Sequence, residues 1–96
     1  MNPSPIFHGQ RIFFFGEIPT IDPDYAAGFV ERMAGTVQEH LKYDTDIIVL
    51  LQEPNDNLLD VVSEINKSNP YPIQWMPGKV FLRMYDNYIG LEHTLD

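Results

Sequence analysis

The side chains that could catalyse a reaction or bind a metal are scattered along the chain. Its histidines fall in an N-terminal segment, a weak strand and a C-terminal segment, a spacing that favours exposed side chains over convergent metal ligands; they are His8, His40 and His93. The aspartates do not follow calcium-loop spacing, and no serine stands in a nucleophile elbow. The chain has no cysteine, which excludes thiolate chemistry and disulfides. We therefore expect no enzymatic activity, no metal and no cofactor.

Aromatic and arginine side chains in the second half of the chain are typical of a protein-binding surface. Tryptophan, tyrosine and arginine dominate the residues that contribute most to binding at protein interfaces. The alternative is that these side chains pack at the edge of the core, since tryptophan and tyrosine are often half-buried. The candidate partner-binding residues, which could form one patch, are Tyr71, Trp75, Pro77, Arg83 and Tyr85.

The charge of the chain restricts its partners. Fourteen acidic and six basic residues give a net charge of −8. Six scattered basic residues make a poor surface for displacing counterions from nucleic-acid phosphates, so we do not expect bare nucleic acid as the main partner. An acidic surface can instead attract a basic protein or mimic nucleic acid, or it can simply keep the protein soluble.

Four segments are predicted strands. The 96 residues suffice for one domain. Arg11 to Phe15 is apolar on both faces, which indicates a central strand of a covered sheet, and Ile47 to Leu51 is the clearest buried strand. Thr36 to Leu41 is a weaker strand. Tyr71 to Trp75 contains Pro72 and is therefore expected at a sheet edge.

Three segments are predicted helices. The first begins at the N-cap Asp22 and Pro23 and ends at Gly35, which suits a left-handed cap. Its predicted inward face comprises Tyr25, Ala26, Phe29, Val30 and Met33. The second helix shares one face among Leu58, Leu59, Val62 and Ile65. The third runs from about Lys79 to Tyr88, with Val80, Phe81, Met84 and Tyr88 inward. Gly28, inside the first helix, suggests a close contact between helix and sheet.

The order of elements is β-α-β-β-α-β-α. This alternation predicts an α/β fold, a small, mainly parallel four-stranded sheet flanked by three helices. We assign 1–8 to a flexible N-terminal arm, 9–90 to the domain and 91–96 to a C-terminal tail. The chain lacks a signal peptide and any apolar run long enough to span a bilayer, so we expect a cytoplasmic protein, or a nuclear one if it is eukaryotic. The initial methionine favours a complete chain, although an excised domain would show the same pattern.

This order and several short motifs resemble a BRCT domain over roughly Gly9 to Tyr88. They are a glycine-led apolar first strand, a small-residue turn after the first helix, a threonine-led third strand, and a fourth strand followed by an aromatic residue in the last helix. These motifs correspond to Gly9–Ile18, Ala34–Val37, Thr45–Val49, and Tyr71–Ile73 with Phe81-Leu82. The family often has tryptophan where Phe81 stands.

The resemblance implies a protein-interaction module of DNA repair, replication or checkpoint proteins. Some BRCT pairs bind phosphopeptides through a Ser or Thr before the glycine that ends the first strand, and a Lys at the second helix. Here Phe15 and Asn57 stand at or near those positions. A phenyl ring cannot donate a hydrogen bond to phosphate, and no lysine precedes Lys67 in that helix. We therefore expect no phosphopeptide binding.

Two functional hypotheses follow. The first is a non-enzymatic BRCT-like module that binds another protein, or a second copy of itself, in DNA repair or replication. The alternative is a small acidic inhibitor or nucleic-acid mimic that binds a basic partner protein. The alternative predicts carboxylates clustered on one face.

Overall fold

The computed structural model describes residues 6–17 and 21–94, with the side chains of 91–94 left out. It contains seven elements in the predicted order. The strands are β1 (Arg11–Phe15), β2 (Thr36–Gln38), β3 (Ile47–Leu50) and β4 (Gln74–Pro77). The helices are α1 (Pro23–Arg32), α2 (Asp56–Ser68) and α3 (Gly78–Thr94).

The four strands form one sheet with the order β2-β1-β3-β4, and every pair is parallel. The predicted α/β fold is confirmed, and the sheet is wholly parallel. In β1, Ile12 and Phe14 face one side of the sheet, whereas Phe13 and Phe15 face the other. This explains why the strand is apolar at successive positions: both sides of it are covered. β4 lies at the edge, as Pro72 suggested, although the strand itself starts two residues after that proline.

Helices α1 and α3 cover one face of the sheet with an aromatic core. Phe81 is completely buried. Its ring packs edge-to-face against the rings of Phe14 and Phe29, with centroid distances of 5.1 and 5.6 Å, respectively. Phe7 packs near the same ring at 6.4 Å. Phe81 therefore holds both helices and β1 together. Phe7, near the end of the predicted N-terminal arm 1–8, is buried in this core. Residues 1–5 lie outside the described part, so the division into arm, domain and tail stays a prediction.

Helix α2 covers the other face with an aliphatic core. Its residues Leu58, Val62 and Ile65 pack against Ile48 of β3 and against Ile73. The Asn55 side chain caps this helix by accepting a hydrogen bond from the Leu58 N–H at 2.8 Å. Leu59, which was predicted to share the buried face, is exposed instead.

The first helix confirms its predicted start but not its predicted end. The Asp22 carboxylate caps it by accepting a hydrogen bond from the Asp24 N–H at 2.9 Å. At the other end Ala34, and not Gly35, has a left-handed backbone, with φ of 66°. Gly35 is needed for a different reason, since a Cβ there would lie 2.8 Å from the Cβ of Phe7.

Several other expectations were wrong. Tyr25 and Val80 are exposed rather than inward. A Cβ at Gly28 would have no atom within 4 Å apart from its neighbours in the same helix, so the expected close contact with the sheet is absent. β2 ends at Gln38 rather than Leu41, and α3 continues to Thr94, through much of the predicted tail.

None of the helices in the described ranges is long and apolar enough to cross a membrane.

Candidate interaction surfaces

The structure divides the five predicted partner-binding residues among separate places. Tyr85 is buried in the α1–α3 core, with its ring 5.6 Å from that of Phe29. Arg83 is exposed on α3, on one side of the sheet, whereas Trp75 lies on the α2 side because it pairs with Ile48. Pro77 ends β4, and Tyr71 precedes that strand. The single patch does not form, and the roles of these residues in binding stay predictions.

Trp75 and Leu59 line a shallow cavity between the edge strand and α2. Trp75 is 38% exposed and Leu59 is 44% exposed. The cavity has a volume of about 450 Å³, and Val62 also lines it. The helical spacing of positions 59, 62, 63, 66 and 67 places these residues along one stripe beside β4. We call this the Trp75 surface. The sequence pointed to Trp75 but missed Leu59, because its spacing is equally typical of a core position.

The borders of the Trp75 surface are polar. Lys67 forms an ion pair with Glu64 at 2.9 Å, one turn away. The Asn66 side chain accepts a hydrogen bond from the Ile73 N–H at 2.9 Å, which ties the end of α2 to the segment entering β4. An apolar centre with a polar border is the usual arrangement of a protein-binding surface.

The carboxyl edge of the sheet lacks the side chains that hold phosphate in the family. Phe15 packs against the aliphatic core on the α2 side, and the Gln52 side chain closely approaches Gly16. Asn57 is exposed in the first turn of α2, directly after the acidic Asp56. A carboxylate at this helix end opposes the binding of an anion.

A larger cavity of about 710 Å³ lies at the same edge. Leucine and proline side chains line most of it, with Glu17, Glu53 and Lys79 also at its wall. Two acidic residues and one lysine give this lining a net negative charge, which does not favour a phosphate group.

A buried threonine organises the amino edge of the sheet. The Thr45 hydroxyl donates to Gln38 Oε1 at 2.5 Å and accepts from the Lys42 N–H at 3.0 Å. The Gln38 amide in turn donates to Asp44 at 2.8 Å, and Arg11 Nε lies 3.4 Å from the same carboxylate. The Gln38 hydrogen bond lowers the pKa of Asp44, and so does the Arg11 charge, although desolvation of the carboxylate opposes them.

The residues considered for metal binding do not converge. Within 6–17 and 21–94, no three histidine, aspartate or glutamate side chains form a group that could hold a metal ion. His8 and His40 are exposed, and the side chain of His93 lies outside the described ones.

Comparisons with known proteins agree with this architecture. Two solved structures, the C-terminal BRCT domain of human XRCC1 and the second XRCC1 BRCT domain, each superpose with a TM-score of 0.66 over 88% of this chain. The aligned regions cover 83% and 81% of the two XRCC1 chains at 15% and 16% sequence identity, so these matches support the fold alone. No curated protein sequence matches the chain. The family model of the BRCA1 C Terminus (BRCT) domain matches residues 2–71, and the chain therefore belongs to the BRCT family.

Proposed function

We propose that this domain binds another protein in DNA repair or replication through the Trp75 surface. BRCT domains are typically protein-interaction modules in DNA repair and generally non-catalytic. The observation that carries the proposal is the exposed apolar pair Trp75 and Leu59, which line one cavity together with polar residues. The same family membership supports a nuclear or DNA-associated location.

The exposed area of Trp75 is large enough to matter for binding. Covering the exposed 38% of the indole removes roughly 60–95 Å² from water, which contributes about 2 kcal/mol. Leu59 adds a comparable contribution. Loss of either side chain therefore weakens binding by roughly 10- to 30-fold, the size expected for a residue that dominates an interface.

The distribution of basic residues supports a protein partner over bare nucleic acid. Arg11 lies at the amino edge of the sheet beside Asp44, and Lys67 pairs with Glu64 on α2. Lys79 lies at the opposite, carboxyl edge. Cations spread over separate surfaces and paired with carboxylates displace few phosphate counterions.

The test combines photocrosslinking with affinity capture. A photoreactive phenylalanine at position 59 should crosslink one partner from lysate of the source cells, whereas the same residue at position 25 should not. Trp75→Ala with Leu59→Ser should abolish capture of that partner. Tyr25→Ala is the matched control, because Tyr25 is equally accessible but lies on α1, across the sheet.

The outcomes separate this proposal from an acidic nucleic-acid mimic. Capture of a repair or replication protein that persists at 0.5 M salt and is lost in the double variant supports the proposal. Capture of a nucleic-acid-binding protein that disappears in salt, and that the double variant retains, would support the mimic instead.

A further inference from the structure

Two tyrosines at the amino edge of the sheet are the most exposed aromatic residues of the described chain. Tyr71 is 81% exposed and Tyr43 is 71% exposed. They line one cavity of about 400 Å³, together with Asp44 and Asp46. We call this the tyrosine cavity. It lies apart from the Trp75 surface, with which it shares no lining residue.

The Asn69 side chain holds the two tyrosine-bearing loops together. Its amide nitrogen donates to the carbonyl oxygen of Tyr43 at 3.2 Å, and its amide oxygen accepts from the backbone N–H of Tyr71 at 3.2 Å. The first bond connects segments 26 residues apart, and the second ties Tyr71 to the same asparagine. The backbone under both rings is thereby fixed, so a ligand that contacts both rings has less chain to order.

The charges at the cavity favour a cation. Two acidic residues, Asp44 and Asp46, and one basic residue, Arg11, line the cavity. The Arg11 guanidinium lies 3.4 Å from the Asp44 carboxylate, so the lining has a net negative charge. The Gln38 hydrogen bond lowers the pKa of Asp44, which favours its charged form. One Asp46 carboxylate oxygen accepts a hydrogen bond from the backbone N–H of Arg11 at 2.8 Å, which holds that carboxylate at the cavity wall.

We propose that the tyrosine cavity binds an arginine side chain of a partner protein. A guanidinium stacks on tyrosine faces and donates paired hydrogen bonds to carboxylates, and it is more weakly hydrated than an ammonium group. The cavity offers both kinds of contact. A net charge of −8 disfavours a second copy of this chain as the partner and favours a basic one.

The experiment is a titration of ¹⁵N-labelled full chain with the peptide acetyl-Gly-Arg-Gly-amide, followed by amide chemical shifts. The matched probe replaces arginine by citrulline, which keeps the shape and removes the charge. The arginine peptide should shift the amides of Tyr43, Asp44 and Tyr71 saturably, and the citrulline peptide should bind at least 5-fold more weakly. Equal shifts with both peptides, or shifts confined to other surfaces, would overturn the proposal.

Variants test the contribution of the rings. Tyr43→Leu and Tyr71→Leu should each weaken binding of the arginine peptide 3- to 10-fold, whereas Tyr71→Phe should retain binding because the aromatic face remains. Tyr25→Leu, at an exposed tyrosine elsewhere, should have no effect. Unchanged binding in both leucine variants of the cavity would refute the role of the rings. Trp75→Ala should leave this titration unchanged, so the proposal stands or fails independently of the Trp75 surface.

Discussion

Replacing Thr45 by valine removes one buried hydroxyl while nearly preserving the shape of the side chain. Thr45 is 2% exposed. Its hydroxyl donates to Gln38 and accepts from the Lys42 N–H, so it connects β2, the following turn and the start of β3. The substitution leaves the Lys42 N–H and the Gln38 oxygen without this partner.

The expected cost follows from these two hydrogen bonds. Each contributes about 0.5–1.5 kcal/mol net, and a partly buried group left unpaired brings the loss toward the upper value. The additional buried methyl group of valine offsets at most about 0.8 kcal/mol. We therefore expect Thr45→Val to lower the free energy of unfolding by about 1–2 kcal/mol.

Urea unfolding followed by Trp75 fluorescence measures this change, since the chain has one tryptophan. With a slope of about 1–3 kcal/mol per molar urea, the midpoint should fall by roughly 0.3–2 M. Thr36→Val is the control, because Thr36 is exposed on β2, and its midpoint should barely change. If both variants unfold at the wild-type urea concentration, the hydroxyl makes no net contribution and the reasoning fails.

Three further predictions concern the core and the amino edge. Gly35→Ala places a Cβ 2.8 Å from that of Phe7 and should destabilise the domain by about 1–3 kcal/mol. Gly28→Ala, with open space around it, should stabilise the domain by up to about 1 kcal/mol. Melting temperatures that change in the same direction in both variants would contradict this pair of predictions. Phe81→Ala should cost about 3–5 kcal/mol in urea unfolding, and a loss below 1 kcal/mol would show that Phe81 does not hold the aromatic core together. The lowered pKa of Asp44 gives stability that is complete above its unfolded pKa, near 4, and is lost as pH falls through the lower folded value. Asp44→Asn should therefore flatten the pH dependence of the urea midpoint below about pH 4, and parallel curves for the two proteins would refute this.

The central strands could be predicted because their run of consecutive apolar residues indicates burial on both faces. β1 and β3 are apolar at successive positions, a pattern that only a sheet covered on both faces requires. The edge strand was harder to place. The Ile73 N–H bonds to the Asn66 side chain rather than to a neighbouring strand, so β4 begins after Pro72 instead of at Tyr71. Side-chain acceptors of this kind cannot be recognised from local propensity.

The end of the first helix shows a second limit. Gly35 suggested a left-handed cap, but Ala34 takes that conformation. Gly35 is needed because Phe7 and Val30 come too close for a side chain. A glycine meets either a conformational or a steric requirement, and the sequence does not say which, because the contact partners come from distant segments.

The five predicted partner-binding residues do not form one patch, because they lie on opposite sides of the sheet. The side chain of Trp75 in β4 lies on the face of the sheet that α2 covers. Helix α3, which contains Arg83 and Tyr85, packs on the other face. The sequence places strand and helix next to each other in the chain, but it does not say which face of the strand carries each side chain. Only the pairing register of β4 with β3 decides this.

One partner can cover both proposed surfaces, and salt distinguishes their contributions. Tyr71 and Trp75 are four residues apart, which corresponds to about 13 Å of extended chain, whereas a usual interface buries about 800 Å² per partner and is roughly 28 Å across. Apolar contacts at Trp75 are insensitive to salt, but a guanidinium between Tyr43 and Tyr71 is screened by it. For a partner that occupies both, rising salt should weaken binding of the wild type more than that of Tyr71→Leu, while Trp75→Ala should weaken binding by the same factor at every salt concentration. Equal salt dependence of the wild type and Tyr71→Leu would mean that this partner leaves the tyrosine cavity empty.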